Sequence, residues 1–249
     1  MKHDAYLEHI ARQAEALRAV AVKAGPEADV PTCPEWNVLA LLRHLGKAYS
    51  WAQLALAAAP DAERPVAPKS PETWNDVLPW WDEQLAELLR ALDARKPDEP
   101  AWSFRNGPKT AGFWFRRQAH ETAVHRLDAE HALAQRASPA AVPTLIFDPR
   151  FAADGIDEFL TVFVAGAPPK RPVDSEHRVM FHAADAGRHW VAQLRPGQPI
   201  EIGPPEGSEV SDDAAIVGTA DAVYRAVWSR PSTALISGDS ELLGAFAAP

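Results

Sequence analysis

Three side chains in this sequence could hold a metal ion. On the segment Gln118-Ala119-His120-Glu121-Thr122-Ala123-Val124-His125, Glu121 and His125 are four residues apart. On a helix that spacing stacks them one turn apart on one face, where a carboxylate and an imidazole can converge. His44 lies among Leu41, Leu42 and Leu45 in another apolar segment, where a polar residue needs a partner. Two nitrogens and one oxygen would leave a fourth tetrahedral position open, as in a catalytic rather than a structural zinc site. The residues by themselves leave blander readings open. A Glu/His pair at this spacing is more commonly a solvated face, and a lone core histidine is more commonly satisfied by one hydrogen bond. The zinc-protease pattern H-E-x-x-H is not met, because position 124 is Val. His120 and His125 are five residues apart and diverge around a helix.

The elements that must carry these residues are helices. Leu7, Ile10, Ala14, Leu17 and Ala21 recur at helical spacing and predict a first helix over about 4–24. Thr32-Cys33-Pro34-Glu35 fits a capping box and predicts that a second helix starts there and runs to about 59. A third is expected over about 71–95 and a fourth over about 111–136, with the turn-rich loop KPDEPAWSFRNGPKT between them. Four long helices make a four-helix bundle. On the fourth, Trp114, Gln118, Glu121, His125, Asp128 and Ala132 share one stripe. If that stripe faces inward, its charges need pairing or a metal.

After ASPAAVPT, read as a linker, the periodicity changes. One mixed segment, 156–164, reads as helical. Val179, Phe181 and Ala183 then alternate with polar residues, as do Trp190, Ala192 and Leu194 beyond a turn at Asp185-Ala186-Gly187, which predicts a hairpin. Strands are expected at 215–218 and 234–238, and helices at 221–229 and 241–246. The reading is therefore a bundle over residues 1–140 followed by a small α+β domain over 141–249.

Totals narrow the function classes. The 249 residues carry 25 Lys and Arg against 34 Asp and Glu, a net charge of −9, with no basic run. Neither nucleic acid nor an anionic membrane surface is an expected partner. Cys33 stands alone, so no disulfide can form within the chain. The stretch MKHDAYLEHIARQAEAL is charged and amphipathic, unlike a secretory signal, and a cytoplasmic location is expected.

Two motifs together, TCPEWNVLALLRHLG and HETAVHRLDAE, resemble the mycothiol-dependent maleylpyruvate isomerase family, within the wider DinB-like bundles. The C-terminal stretch IVGTADAVYRAVWSRPSTALISGDSELLGAF is similar to that family's small domain, itself like sterol-carrier proteins. The resemblance covers nearly the whole chain. It implies zinc ligands at His44, Glu121 and His125, mycothiol as cosubstrate, and a catalytic arginine, for which Arg230 is the best match. A surface arginine at a helix C-terminus is an equally good account of Arg230. Asp128 could accept an N–H from a ligand histidine or pair on the helix surface. Cys33 reads as a packing residue rather than a nucleophile. The tryptophans at 36, 51, 74, 80, 81 and 114 read as core. The implied reaction is cis–trans isomerisation of a small electrophile by thiolate addition. The rivals are a mycothiol S-transferase, a zinc enzyme using metal-bound water, and a non-catalytic binding protein. The expected partners are a small-molecule substrate and a low-molecular-weight thiol, and the expected assembly is a monomer or weak homodimer.

Overall fold

The structure is a computed structural model, and it describes residues 1–104, 107–137 (side chains of 136–137 aside), 144–203 and 212–246. The chain divides into two compact units, Met1–Leu145 and Ile146–Pro249. The linker expected at ASPAAVPT falls almost wholly outside the described residues.

The first unit is built from α1 (His3–Ala24), α2 (Val38–Ala57), α3 (Trp74–Asp93) and α4 (Ala111–Ala137). Apolar spacing explains which faces meet. Ile10, Ala14, Leu17 and Ala21 of α1 are fully buried, as are Leu41, Leu42, Leu45 and Tyr49 of α2 and Val77, Trp81, Leu88 and Leu92 of α3. Helix α1 packs chiefly on α4, and α2 on both α3 and α4. Helix α4 is covered on nearly every side, so its polar stripe is interior. Where α2 crosses α3, Gly46 lets the ring of Trp80 come against the helix backbone, and a Cβ there would overlap the ring. Gly46→Ala gains about 1 kcal/mol of helix propensity but incurs an overpacking cost of about 1–3 kcal/mol. We expect a net loss of about 1 kcal/mol, read as a lower thermal midpoint.

The start of α2 corrects the sequence reading. Thr32 is not a helix cap. Asn37 is, its side chain accepting from the Ala40 amide at 2.9 Å. Residues 28–38 instead form a tight reversal. Val38 N donates to Ala28 O, Val30 N to Trp36 O, and Trp36 N to Cys33 O. Glu35 takes a left-handed φ of 70°. A capping box would have used the Thr32 hydroxyl locally, but here it reaches a carboxylate on α4. Helix α3 likewise starts three residues late, at Trp74, capped by Thr73.

The second unit holds α5 (Pro149–Glu158), continued by a π-helical turn over Phe159–Val164, then β1 (His177–Ala183), β2 (Arg188–Leu194), β3 (Glu201–Gly203), β4 (Ala214–Gly218), α6 (Ala220–Val227), β5 (Leu235–Gly238) and a closing 3-10 turn over Ser240–Phe246. The sheet order is β3-β2-β1-β4-β5. The β1–β2 hairpin forms as expected, pairing Val179 with Ala192 and Phe181 with Trp190. Its turn uses Gly187 at φ 61°, a left-handed conformation that costs glycine nothing. β1 and β4 are parallel, and the other pairs antiparallel. The three-residue edge strand β3 carries no alternating pattern long enough to read from sequence.

Candidate metal centre

Helices α2 and α4 bring His44, Glu121 and His125 together, with one donor atom from each lying within 4.8 Å of the others. Glu121 Oε1 lies 3.1 Å from His44 Nε2 and 3.4 Å from His125 Nε2. Zinc bonds of about 2.0–2.1 Å at tetrahedral angles separate ligand atoms by about 3.4 Å. The donor set therefore fits a tetrahedral zinc in type, and both separations from Glu121 are close to tetrahedral spacing.

Around the three donors stands an outer ring of groups, of which Asp128 and Arg117 are buried. His125 Nδ1 lies 2.8 Å from Asp128 Oδ2. With Nδ1–H donating there, Nε2 is the ring nitrogen that faces Glu121, the orientation an outer carboxylate gives a metal-bound histidine. Asp128 is 0% exposed. It also accepts from Thr32 Oγ1 at 2.6 Å and Cys33 Sγ at 3.4 Å, both in the reversal before α2. Cys33, His125 and Asp128 form a second group of possible ligand type, but each is engaged in these hydrogen bonds, so that group serves as support. Arg117, one turn before Glu121 and itself buried, donates from Nη2 to Glu121 Oε2 at 2.9 Å. That leaves Oε1 turned toward both imidazoles. Trp36 lies across the two rings, 4.8 Å from the His44 centroid and 6.1 Å from that of His125.

The electrostatics ask for positive charge. Burial on its own would raise the Glu121 pKa, yet hydrogen bonds with His125 and His44 and the charge of Arg117 hold it well below the ordinary value. Burial would likewise lower the His125 pKa, and hydrogen bonds with Asp128 and Glu121 overcome it, raising it to about 9. Two carboxylates thus hold a proton on His125 where a cation would serve them as well.

A cavity of 450 Å³ adjoins the centre, lined by His44 and Glu121 together with Lys47, Trp51, Arg64 and Val66. Two of the three donors are thus reachable by a small molecule. His120 is fully buried and off the stripe. In the second unit, Arg230 follows α6 and donates from Nη1 to the Trp228 carbonyl at 2.7 Å. It lines a separate 280 Å³ cavity with Phe159, Phe181, Ser229 and Phe246.

Sequence reasoning missed three contributors. Arg117 could have been found, being four residues before Glu121 on the same face. Trp36 and Thr32 could not, because a helix beginning at Thr32 places both elsewhere.

Comparison with known proteins agrees with this architecture. Residues 7–130 match the family model of the mycothiol maleylpyruvate isomerase N-terminal domain, and residues 150–245 that of the MDMPI C-terminal domain. The crystal structure of the mycothiol-dependent maleylpyruvate isomerase is similar, with a TM-score of 0.61 at 12% identity. A histidine-to-alanine mutant of it gives 0.62, also at 12%. Both alignments cover 95% of this chain and 93% of the other. At that identity they show a shared fold. No curated protein matches the chain in sequence. With two family domains matched in order across most of its length, the chain belongs to the mycothiol maleylpyruvate isomerase family.

Proposed function

We propose that this chain is a zinc-dependent, mycothiol-using enzyme that isomerises a small electrophilic cis alkene by thiolate addition. The observation that carries the reading is the donor set His44, Glu121 and His125, gathered within 4.8 Å and opening on a cavity at two of its three members. A zinc ion at these donors supplies positive charge that favours thiolate over thiol at neutral pH. The chain's own residues do the rest. Asp128 keeps the His125 lone pair inward, and Arg117 keeps Glu121 Oε1 inward. The cavity admits the alkene, and the apolar groups of its wall limit water. The thiolate sulfur bonds to one alkene carbon, and the electron pair moves onto the conjugated carbonyl. The former double bond then rotates, and the pair returns as the carbon–sulfur bond breaks. Thiol is recovered and the trans product leaves. Arg230 is the candidate catalytic residue of the second unit, its planar guanidinium a fork matched to a carboxylate. The proposed domains are residues 1–140, which would carry the metal, and 141–249.

The test begins with metal content of purified protein by plasma mass spectrometry. One zinc per chain is expected in the wild type and far less in a folded His44→Ala. A folded wild type that carries no zinc and takes none up sinks the reading. Zinc-loaded protein is then given mycothiol and a conjugated cis acid. Thiol recovered with trans acid formed means isomerase, whereas thiol consumed means S-transferase.

No helix among the described residues is long and apolar enough to cross a membrane. The proposed enzyme works in the cytoplasm as a monomer or weak homodimer.

A further inference from the structure

The cavity beside the metal centre has a composition that its neighbours do not explain. On α2, His44, Lys47, Ala48 and Trp51 recur at three- and four-residue steps, so one face of the helix runs from the proposed metal ligand out along the cavity. The segment 64–67 forms the facing wall. Trp51 anchors that wall: its indole Nε1 donates to the Pro65 carbonyl at 2.8 Å, and the Arg64 guanidinium lies 5.1 Å over its ring. Trp51 is itself held by edge contacts with Trp102 and Trp114. The wall is therefore preformed, as small-molecule sites usually are.

Its chemistry is two-sided. Ala48, Trp51, Pro65, Val66 and Ala67 are apolar, and Val66 is 84% exposed at the rim. An exposed valine at the rim suits contact with a ligand's apolar part. Lys47 and Arg64 are the cations, and neither has a carboxylate partner among the described residues. Both therefore remain available to an anionic group of a ligand in this cavity. A volume of 450 Å³ lies within the roughly 300–1,000 Å³ of sites for drug-sized ligands. It exceeds what a four-carbon diacid needs.

We propose that this cavity is the substrate subsite and that it takes an amphipathic acid. The acid group sits on Lys47 and Arg64, an aromatic or branched apolar body lies against Trp51, Ala48 and Val66, and the reacting carbons lie toward His44 and Glu121. The inference rests on the function proposed above and names the substrate class for the same site. Arg64 and Lys47 are then specificity-determining residues. The segment 64–67 sets which apolar bodies are accepted.

The probes are trans-cinnamate, fumarate and neutral cinnamamide, titrated calorimetrically into zinc-loaded protein. Burying a ring in place of a second carboxylate is worth tenfold or more in affinity by the usual area relation, about 25 cal/mol per Å². Cinnamate is therefore expected to bind at least tenfold tighter than fumarate. An exposed ion pair contributes about two- to fivefold, so Lys47→Ala with Arg64→Ala is expected to weaken cinnamate about tenfold and leave cinnamamide within twofold. Val66→Asp should weaken both aryl ligands. Fumarate binding as tightly as cinnamate overturns the proposal, as does a double variant that holds cinnamate within twofold of wild type. Zinc content and chelator-treated protein separate this from the functional reading. Cinnamate that still depends on both cations in a protein unable to take up zinc keeps the subsite and fails the metal. One zinc per chain with cation-independent binding does the reverse.

Discussion

Glu121→Ala is expected to abolish zinc retention in a protein that still folds. Glu121 is the hinge of the centre, because its Oε1 is within 3.4 Å of both histidine nitrogens and its Oε2 takes a hydrogen bond from Arg117. Removing it leaves two neutral donors facing a cation, with no anionic ligand to balance the charge. Loss of an outer partner alone typically costs about 10–100-fold in metal affinity. Loss of this ligand is expected to exceed that, reducing zinc from one per chain to a trace after gel filtration. The stability effect has a separate cause. Breaking a buried ion pair from one side costs about 3–5 kcal/mol when the other charge is stranded. Arg117 keeps further interactions, so about 1–3 kcal/mol is expected for Glu121→Ala. Glu121→Gln keeps the shape and a hydrogen-bond acceptor while removing the charge. It should fold more stably than the alanine variant and still lose most zinc. Equal zinc in wild type and Glu121→Gln, measured by mass spectrometry on matched samples, would remove Glu121 from the ligand set.

Asp128→Ala is expected to have the largest effect on the protein as a whole. Asp128 has no solvent exposure, and three groups donate to it: His125 Nδ1, Thr32 Oγ1 and Cys33 Sγ. Its removal takes this acceptor from the buried His125 Nδ1 and from the half-buried Thr32 and Cys33. It also frees the reversal before α2 from α4 and lets His125 take either tautomer. Unsatisfied buried polar groups cost about 1–3 kcal/mol each, and partial relaxation toward water reduces their sum. We expect about 3–4 kcal/mol lost in chemical denaturation of the first unit. Zinc affinity should fall about 10–100-fold, as for other outer carboxylates. Asp128→Asn separates the two roles. Its amide keeps the volume and one acceptor, so stability should recover by more than half. Zinc affinity should recover less, because the amide is a weaker acceptor for the histidine N–H. Asp128→Ala with unchanged zinc affinity would make Asp128 a structural residue only.

The local pattern of this chain determined a good deal. The periodicity of Ile10, Ala14, Leu17 and Ala21, and of Val77, Trp81, Leu88 and Leu92, marked two bundle helices and their buried faces. Helical spacing also put Glu121 and His125 on one side of α4, and alternation marked the β1–β2 hairpin. These are short-range consequences of 3.6- and 2-residue repeats. Sequence could not decide whether the Glu121 stripe faces solvent or the interior, since a polar stripe on an amphipathic helix ordinarily points outward. Only packing from α1 and α2 on either side of α4 turned it inward. The start of α2 went the same way. Thr32 and Glu35 make a sound capping box locally, but a buried carboxylate 96 residues away competes for the Thr32 hydroxyl and wins. Satisfying Asp128 inside the protein matters more than one helix cap, which is worth about 1 kcal/mol. The reversal that results also sets Trp36 across the two imidazoles. The unpaired cations at 47 and 64 were equally invisible, because being unpaired depends on every other charge having been placed. Spacing thus chose the donors, and tertiary structure chose which of them meet, because burial and hydrogen-bond satisfaction are properties of the whole fold.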